Sequence, residues 1–388
     1  MTLLKNIKLV RISTVAFFID TQLSAQIKMT ISAGAVVSVI ASESSLNRPI
    51  DSCQYFSIDI PRQIRPIKDL IALLKLWRLF RNQGFDIVHS TTPKAGLLSA
   101  IAGRLSGVPI RVHTFTGQPW VTLKGIKRHT AKLSDKLIGI LSTACYADSY
   151  SQKNFLVSEK LVQADKLFVI GQGSLAGVDI NRFNPDLFNL ASRYAIKEDL
   201  GIAKNAVVLL FVGRIVRDKG VVELVEAFNS VITKNSNVYL LFVGPLELSK
   251  EDLGIIVGSS VEEKIKFVGY TDFPEKYMAV SDVLCIPSYR EGFGTVVIEA
   301  AAMGLPAVGS NIYGLSDAIV NGKTGILVEP RSSKELEEAL FYIITDGESR
   351  MRLGNCARQR VVDDFSSEFV NKDVVKEYVK LLAQTRDN

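Results

Sequence analysis

At 388 residues the chain is too long for one ordinary domain and comfortable for two, each able to bury its own core. Its 47% hydrophobic and 22% charged residues exclude collagen-like, disordered and disulfide-dense classes. The net charge of +6 is unevenly spread, with 23 Lys+Arg against 11 Asp+Glu in residues 1–185 and 23 against 29 in the remainder. A basic first half calls for an anionic partner, whether nucleic acid, anionic lipid headgroups or a phosphorylated substrate, unless it is simply a solvated basic face.

In chain order, Lys5, Lys8 and Arg11 stand ahead of an apolar ISTVAFFI, loosely like a signal peptide. No small-residue cleavage site follows, so the stretch reads as a buried first strand. Short β-branched apolar runs then alternate with stretches of helical period, the pattern of strand–helix–strand units in a parallel sheet and hence of an α/β protein. In the first half the strands fall at 8–12, 35–40, 87–90, 110–115, 144–149 and 167–171, with helices between them at 68–81 and 96–105 among others.

The pattern restarts with strands at 207–213, 238–244, 264–270, 283–288, 306–310 and 325–330. Two sheets mean two domains, expected at 1–185 and 186–364, joined near 183–200 where Asn-Pro-Asp and a charged stretch interrupt the periodicity. The longest apolar runs, at 206–212 and 238–243, are strand-length and well short of the roughly 20 residues of a spanning helix. Cys53, Cys145, Cys285 and Cys356 form no Cys-x-x-Cys pair and have three histidines to help them, so neither structural zinc nor a disulfide framework is expected, in keeping with a reducing cytoplasm.

Helix 68–81 sets Leu70, Ile71, Leu73, Leu74, Trp77 and Phe80 among Lys75, Arg78 and Arg81. A second stretch carries Lys124, Lys127, Arg128, Lys132 and Lys136 with Ile126, Leu133 and Leu137 at helical spacing. Either helix is able to rest on an anionic membrane surface. The alternative is that the apolar faces are core and the cations face water.

The segment Glu291-Gly-Phe-Gly-Thr-Val-Val-Ile-Glu299 follows a strand directly, giving strand, glycine loop, helix. Gly292 and Gly294 allow close backbone approach, and a helix starting near Thr295 aims its free N–H groups at whatever sits there, so the layout is that of an anion site. Glu291 in the loop and Glu299 a turn inside bracket it with carboxylates suited to hydroxyls. Arg214 and Lys219, in Val212-Gly-Arg-Ile-Val-Arg-Asp-Lys-Gly220, leave the same carboxyl-terminal sheet edge and would partner a diphosphate.

Gly213-Arg214 with Lys219-Gly220 and the Glu-seven-Glu segment resemble the donor half of retaining glycosyltransferases of family 4. The likeness continues through 304–309, 321–328 and 177–183. It implies the GT-B architecture, two Rossmann-like domains with parallel sheets facing across a cleft. It further implies that Arg214 and Lys219 hold the diphosphate of a nucleotide-sugar, UDP being the commonest carrier. Phe293 and Thr295 join Gly292 and Gly294 in the donor loop, Glu299 takes the ribose hydroxyls and Glu291 a sugar hydroxyl. Two cations and a helix N-terminus stabilise a leaving diphosphate without a metal or cofactor.

In the first half, Val88–Gly96 and Arg111–Trp120 resemble acceptor-domain segments of bacterial polysaccharide glycosyltransferases of that family. The resemblance favours His113 over His89 as the histidine that meets the donor sugar. It makes Thr92, Lys94 and Gln118 acceptor-side candidates. Where relatives carry a glycine-rich turn after the first strand, this chain has 13–20 without glycine, so Ser13 and Thr14 take that place. The basic, apolar-faced domain with this resemblance implies an undecaprenyl diphosphate-linked acceptor, O-antigen or capsule synthesis, and a cytoplasmic protein on the inner face of the membrane. Residues 365–388 are expected to form a helix packing back on the first domain.

Three other readings are weaker. A dinucleotide-dependent oxidoreductase would use Gly171-Gln-Gly-Ser-Leu-Ala-Gly177, but its last spacing is one residue too long, and Gly322-Lys-Thr324 lacks the first glycine of a Walker loop, which falls at Asp317. A nucleotide-sugar epimerase shares the architecture but needs acid and base groups facing one sugar. No nucleic-acid-binding signature accompanies the basic charge.

Overall fold

The computed structural model describes residues 3–249, 252, 254 and 262–386. It falls into two compact units, Met1–Gly177 with Ser367–Asn388, and Val178–Ser366. The 183–200 stretch lies within the second unit, as a short turn at Pro185–Leu187 and the helix Leu190–Asp199.

The first unit holds β1 (Lys8–Ile12), β2 (Val36–Ala41), β3 (Gln54–Ser57), β4 (Ile87–Ser90), β5 (Ile110–Phe115), β6 (Ala144–Ala147) and β7 (Leu167–Val169). They form one sheet in the order β3-β2-β1-β4-β5-β6-β7, every neighbouring pair parallel. Strand β3 escaped the sequence reading because it is a four-residue edge strand whose end residues, Gln54 and Ser57, face solvent. The strand order reverses direction between β1 and β4, the place where open α/β sheets bind ligands.

Side chains alternate as a sheet covered on both faces requires. Leu9 packs with Ile27, Val374, Val375 and Tyr378, so one face is covered by the helices Ser24–Ser32 and Ser367–Arg386. Val10 and Ile12 pack with Ala72, Leu76, Phe80, Ala95 and Leu98, from Pro66–Gln83 and Pro93–Leu105 on the opposite face. The helix Pro66–Gln83 opens on proline and closes on Gly84, whose φ of 60° lets its N–H reach the Phe80 carbonyl at 3.0 Å. Only Ala72, Leu76 and Phe80 of this helix are fully buried, so much of its apolar surface is not core.

The second unit holds β8 (Val207–Val212), β9 (Val238–Val243), β10 (Ile265–Gly269), β11 (Val283–Ile286), β12 (Ala307–Ser310) and β13 (Gly325–Val328). Their order is β10-β9-β8-β11-β12-β13, again parallel throughout, with the reversal between β8 and β11. Val208 and Leu210 enter one core with Ile298, Val361 and Phe365, while Leu209 and Phe211 enter the other with Phe228 and Leu340. Phe365, expected in the terminal helix, instead closes the second unit's core, and the final helix is Ser367–Arg386. Among the described residues no helix is long and apolar enough to cross a membrane.

Candidate functional site

In the second unit, β8 and β11 pair through Val283 with Leu209 and Leu284 with Leu210, so their exit loops are neighbours. The β8 loop passes Arg214 and the tight turn Arg217–Lys219 to Gly220, which opens the helix Val221–Lys234. Gly220 has φ 69°, and a Cβ there would lie 2.0 Å from the Pro287 carbonyl oxygen, so a glycine is needed for the loops to touch. They are then cross-linked. The Tyr289 N–H donates to the Asp218 carbonyl at 2.9 Å, Arg290 pairs with the Asp218 carboxylate at 2.9 Å, and Lys219 Nζ donates to Glu291 Oε1 at 2.5 Å.

Gly294, φ 90°, is the N-cap of the helix Thr295–Ala302 and supplies no side-chain cap; the Val297 N–H donates to the Gly294 carbonyl at 2.8 Å, leaving those of Thr295 and Val296 to face a ligand. A Cβ on Gly314 would lie 2.7 and 2.8 Å from the carbonyl oxygens of Gly292 and Glu291, so a second glycine backs the loop. Phe293 is buried, its ring 5.2 Å from that of Phe365, and anchors the loop to the core. Arg214 lies near the rim, half-exposed, with Nη1 donating to Glu247 Oε2 at 3.1 Å.

Glu299 stands on the second turn of this helix, and burial pushes its carboxyl up to about 7, with Arg182 opposing the rise and Glu275 adding to it. Arg182 is clamped by Glu275, donating from Nε at 3.0 Å and Nη2 at 2.7 Å, and Nη2 also donates to the Asp272 carbonyl. Arg182 and Glu275 were not singled out from the sequence. Arg182 lies inside the 177–183 segment, but its partner is 93 residues further on, beyond any local pattern.

In the first unit the corresponding reversal brings the β1 and β4 exits together. Thr14 and Thr92 share a hydroxyl hydrogen bond of 2.7 Å, and the Thr14 N–H donates to Thr92 Oγ1 at 2.9 Å. Ser13 is buried beside them. The Ala16 N–H donates to Glu43 Oε2 at 2.7 Å, so a carboxylate occupies the first helical turn where a glycine-rich loop was missing. Lys94 is held by Asp69 at 2.7 Å and by the Gln63 carbonyl. Gln118 is buried, accepting from Gln152 Nε2 at 3.2 Å.

The two histidines occupy opposite sheet faces, as their strand positions dictate. His113 sits two residues inside β5 and is 1% exposed, its Nδ1 hydrogen-bonded to the Ser90 hydroxyl at 2.9 Å. Gly96 makes room for it, since a Cβ there would lie 2.4 Å from His113 Cε1. Burial lowers its pKa to about 3, so the ring is neutral. His89 is equally buried, with Nδ1 shared between Arg11 Nη1 at 2.5 Å and the Tyr378 hydroxyl at 2.6 Å, and Nε2 on Thr114 Oγ1 at 2.7 Å. Arg11 is 1% exposed, also donates to the Tyr378 hydroxyl, and meets no carboxylate in these bonds. Thus Ser13, Thr14 and Thr92 converge at the sheet edge where the strand order reverses, whereas His113, Lys94 and Gln118 are engaged within the unit. Among the described residues no three His, Cys, Asp or Glu side chains gather so as to hold a metal ion.

Residues 192–360 match the family described as glycosyl transferases group 1, and residues 20–173 match a glycosyl transferase 4-like domain. The chain is 31% identical over 383 residues to a capsular polysaccharide biosynthesis glycosyltransferase, CapM, of Staphylococcus aureus, covering 98% of this chain and 99% of that one. It is 29% identical over 321 residues, 80% of either chain, to a UDP-Gal:alpha-D-GlcNAc-diphosphoundecaprenol alpha-1,3-galactosyltransferase of Escherichia coli. Among solved structures, HepE of Anabaena in complex with UDP and glucose superposes with a TM-score of 0.80 at 18% identity, over 97% of this chain and 100% of that one. WaaG, a glycosyltransferase involved in lipopolysaccharide biosynthesis, gives 0.72 at 16% identity over 95% and 99%. These likenesses identify two Rossmann-like units of the GT-B class.

Proposed function

Because the chain belongs to the group 1 glycosyltransferases, we propose that it transfers a hexose or N-acetylhexosamine from a UDP-sugar, with retention, to an undecaprenyl diphosphate-linked saccharide in surface polysaccharide synthesis. The protein is a glycosyltransferase. The observation that carries the donor reading is the convergence of Lys219, Glu291 and the uncapped Thr295–Ala302 helix where the second sheet reverses. The acceptor reading draws support from the Escherichia coli relative, whose own acceptor is a diphosphoundecaprenol-linked sugar.

In this reading Arg214, Lys219 and the N–H groups of the helix receive the diphosphate. Glu291, released from Lys219 as phosphate replaces it, accepts from a sugar hydroxyl, and Glu299 accepts from the ribose. The bond from the anomeric carbon to the phosphate oxygen breaks as the acceptor oxygen bonds to the same face, and the acceptor's proton passes to the departing phosphate. Charge developing on that oxygen is met by two cations and a helix dipole, without a metal or cofactor. His113, neutral and enclosed, acts by positioning the end of β5 rather than as an acid or base. Ser13, Thr14 and Thr92 lie on the acceptor side. The enzyme works from the cytoplasm at the inner face of the membrane, whose anionic surface is a partner, with no nucleic acid involved.

The test is transfer from a panel of UDP-sugars to synthetic polyprenyl diphosphate N-acetylglucosamine, with the anomer of the product read by NMR. An α-linked product from an α-linked donor supports the reading. Hydrolysis or epimerisation without transfer, or an inverted product, contradicts it.

A further inference from the structure

In the second unit, the edge of the sheet opposite Lys219 and Glu291 opens into a groove of about 510 Å³, at the starts of β11 and β12. Its floor is apolar, since Met278, Met303 and Leu305 are all buried. Arg193, from the helix Leu190–Asp199, and Arg350, from the helix Gly347–Asp364, line it together with Asp282, the residue ahead of β11. Met351 also lines it and is 63% exposed. All of these residues belong to one unit.

Each arginine is anchored through part of its head group. Arg193 donates from Nε to the Phe188 carbonyl and from Nη2 to the Pro185 carbonyl, both at 2.9 Å. Arg350 donates from Nη1 to the carbonyls of Ile343 and Ile344 at 2.9 and 3.0 Å, at the end of the helix Ser333–Thr345. Asp282 Oδ2 accepts the Val208 N–H at 2.8 Å, while Oδ1 lies 4.0 Å from Arg350 Nε, too far for a hydrogen bond. Arg193 Nη1, Arg350 Nη2 and Asp282 Oδ1 are thus without a hydrogen-bond partner among the described residues. Holding local carbonyls accounts for the anchored nitrogens, and the three remaining polar atoms are left for an occupant.

A guanidinium presents its N–H groups in a fixed fork that matches a phosphate or a carboxylate, and the carbonyl anchors remove rotamer freedom that binding would otherwise cost. A bare anion would meet repulsion from Asp282. A molecule with hydroxyls beside its anionic head would not, because a hydroxyl donates to Oδ1 while the head rests on the arginines. Its C–H face would cover the methionine and leucine floor. The volume is that of a small-molecule pocket, well above what a single ion fills.

We propose that this groove binds a small hydroxylated anion, a phosphorylated or carboxylated polyol of sugar size, with its head on Arg193 and Arg350 and a hydroxyl on Asp282. It is separate from the donor loop: the helix Thr295–Ala302 starts at that loop and runs about 12 Å before Met303 reaches the groove. The inference stands apart from the donor reading, in which no residue of the groove takes part.

The full chain is titrated calorimetrically with glucose 6-phosphate, gluconate and butyl phosphate, in the absence of nucleotide. Glucose 6-phosphate or gluconate is expected to bind saturably, about tenfold tighter than butyl phosphate, and whichever of the two binds better identifies the anionic head. Asp282→Asn should narrow that margin. Arg193→Gln and Arg350→Gln should weaken binding but also release backbone carbonyls, so the decisive comparison is made at the exposed Met351. Met351→Glu should weaken binding about fivefold and Met351→Lys should strengthen it about as much, with melting temperatures unchanged. Lys219→Ala should bind as the unaltered protein does. Binding of neither hydroxylated anion, butyl phosphate binding as tightly as they do, or indifference to the charge placed at 351 overturns the proposal. Loss of binding in Lys219→Ala overturns it as well, by placing the anion at the donor loop. Failure of UDP to bind in a separate titration would defeat the donor reading and leave the groove untouched.

Discussion

Lys219 Nζ and Glu291 Oε1 meet at 2.5 Å although 72 residues separate them, because β8 and β11 are sheet neighbours at the point of reversal. In the first unit Thr14 and Thr92 meet at 2.7 Å across the equivalent reversal between β1 and β4. The same topological accident, used twice, gives each unit a pair of exit loops in contact. In the second unit that pair joins a helix N-terminus without a side-chain cap and two cations, whereas in the first the helix Pro93–Leu105, which starts from Thr92 and also lacks a side-chain cap, has its Lys94 held by Asp69.

If Lys219 and Arg214 hold the diphosphate, Lys219→Ala and Arg214→Ala each remove a charged hydrogen bond of about 1.5–3 kcal/mol, or roughly 10- to 150-fold in UDP affinity. Lys219→Ala also strands Glu291, so Lys219→Ala/Glu291→Ala should lose less than the sum of its parts. Calorimetric titration of the wild type, Lys219→Ala, Arg214→Ala, Glu291→Ala and the double variant checks both points, and unchanged melting curves separate the effect from unfolding.

Glu299 carries a carboxyl raised to about 7 by burial. Ribose hydroxyls are best accepted by its ionised form, so UDP affinity should fall as pH drops from 8 to 6, and Glu299→Gln should bind weakly but with a flatter profile. A wild-type profile as flat as that of the variant would remove Glu299 from the nucleotide site.

Buried carboxyls in the first unit set a pH dependence of stability. Burial raises Asp148 to about 8 and Asp135 to about 7, against an ordinary value of 3.8 for each. The folded state therefore holds more protons, and the stability this confers is full below pH 4 and lost as pH rises through 7 to 8. His113, lowered to about 3 from 6.5, works in the other direction, its stability lost as pH falls below 6.5. Between pH 6.5 and 8 the carboxyls act nearly alone, and Asp148→Asn should remove up to about 2 kcal/mol of the decline. Urea melts at the two pH values measure it.

Tyr378 ties the terminal helix to β1 and β4 through Arg11 and His89. Tyr378→Phe deprives a buried guanidinium of an acceptor and should cost about 1–3 kcal/mol. Truncation after Ser366 removes Val374, Val375 and Tyr378 from the core and should leave the first unit unfolded by circular dichroism.

Much of this was legible in the amino-acid order. Strands that are buried on both faces, such as 207–212 and 238–243, read as unbroken apolar runs, and the glycines at 220, 292 and 294 mark the loops that touch where the second sheet reverses. What the order withholds are contacts made by distant partners: the Arg182 clamp on Glu275, the buried Arg11, and the Gly96 gap that encloses His113. A histidine inside a strand looks the same in sequence whether its ring meets solvent or a helix, and β5 alternation decides it only once the helix positions are known. Equally hidden is the exposure of Ile67 and Leu70 on Pro66–Gln83 and of Ile126 and Leu133 on Gly125–Leu141, because helical spacing reveals an apolar face but not which way it turns.

The most direct measurement is calorimetric titration of the protein with UDP in the presence of EDTA, beside GDP, ADP and NAD, with Lys219→Ala as the control. The account predicts saturable binding of UDP without a divalent ion, weakened at least tenfold in the variant. Binding of NAD alone, a requirement for added metal, or UDP binding indifferent to Lys219→Ala would contradict it.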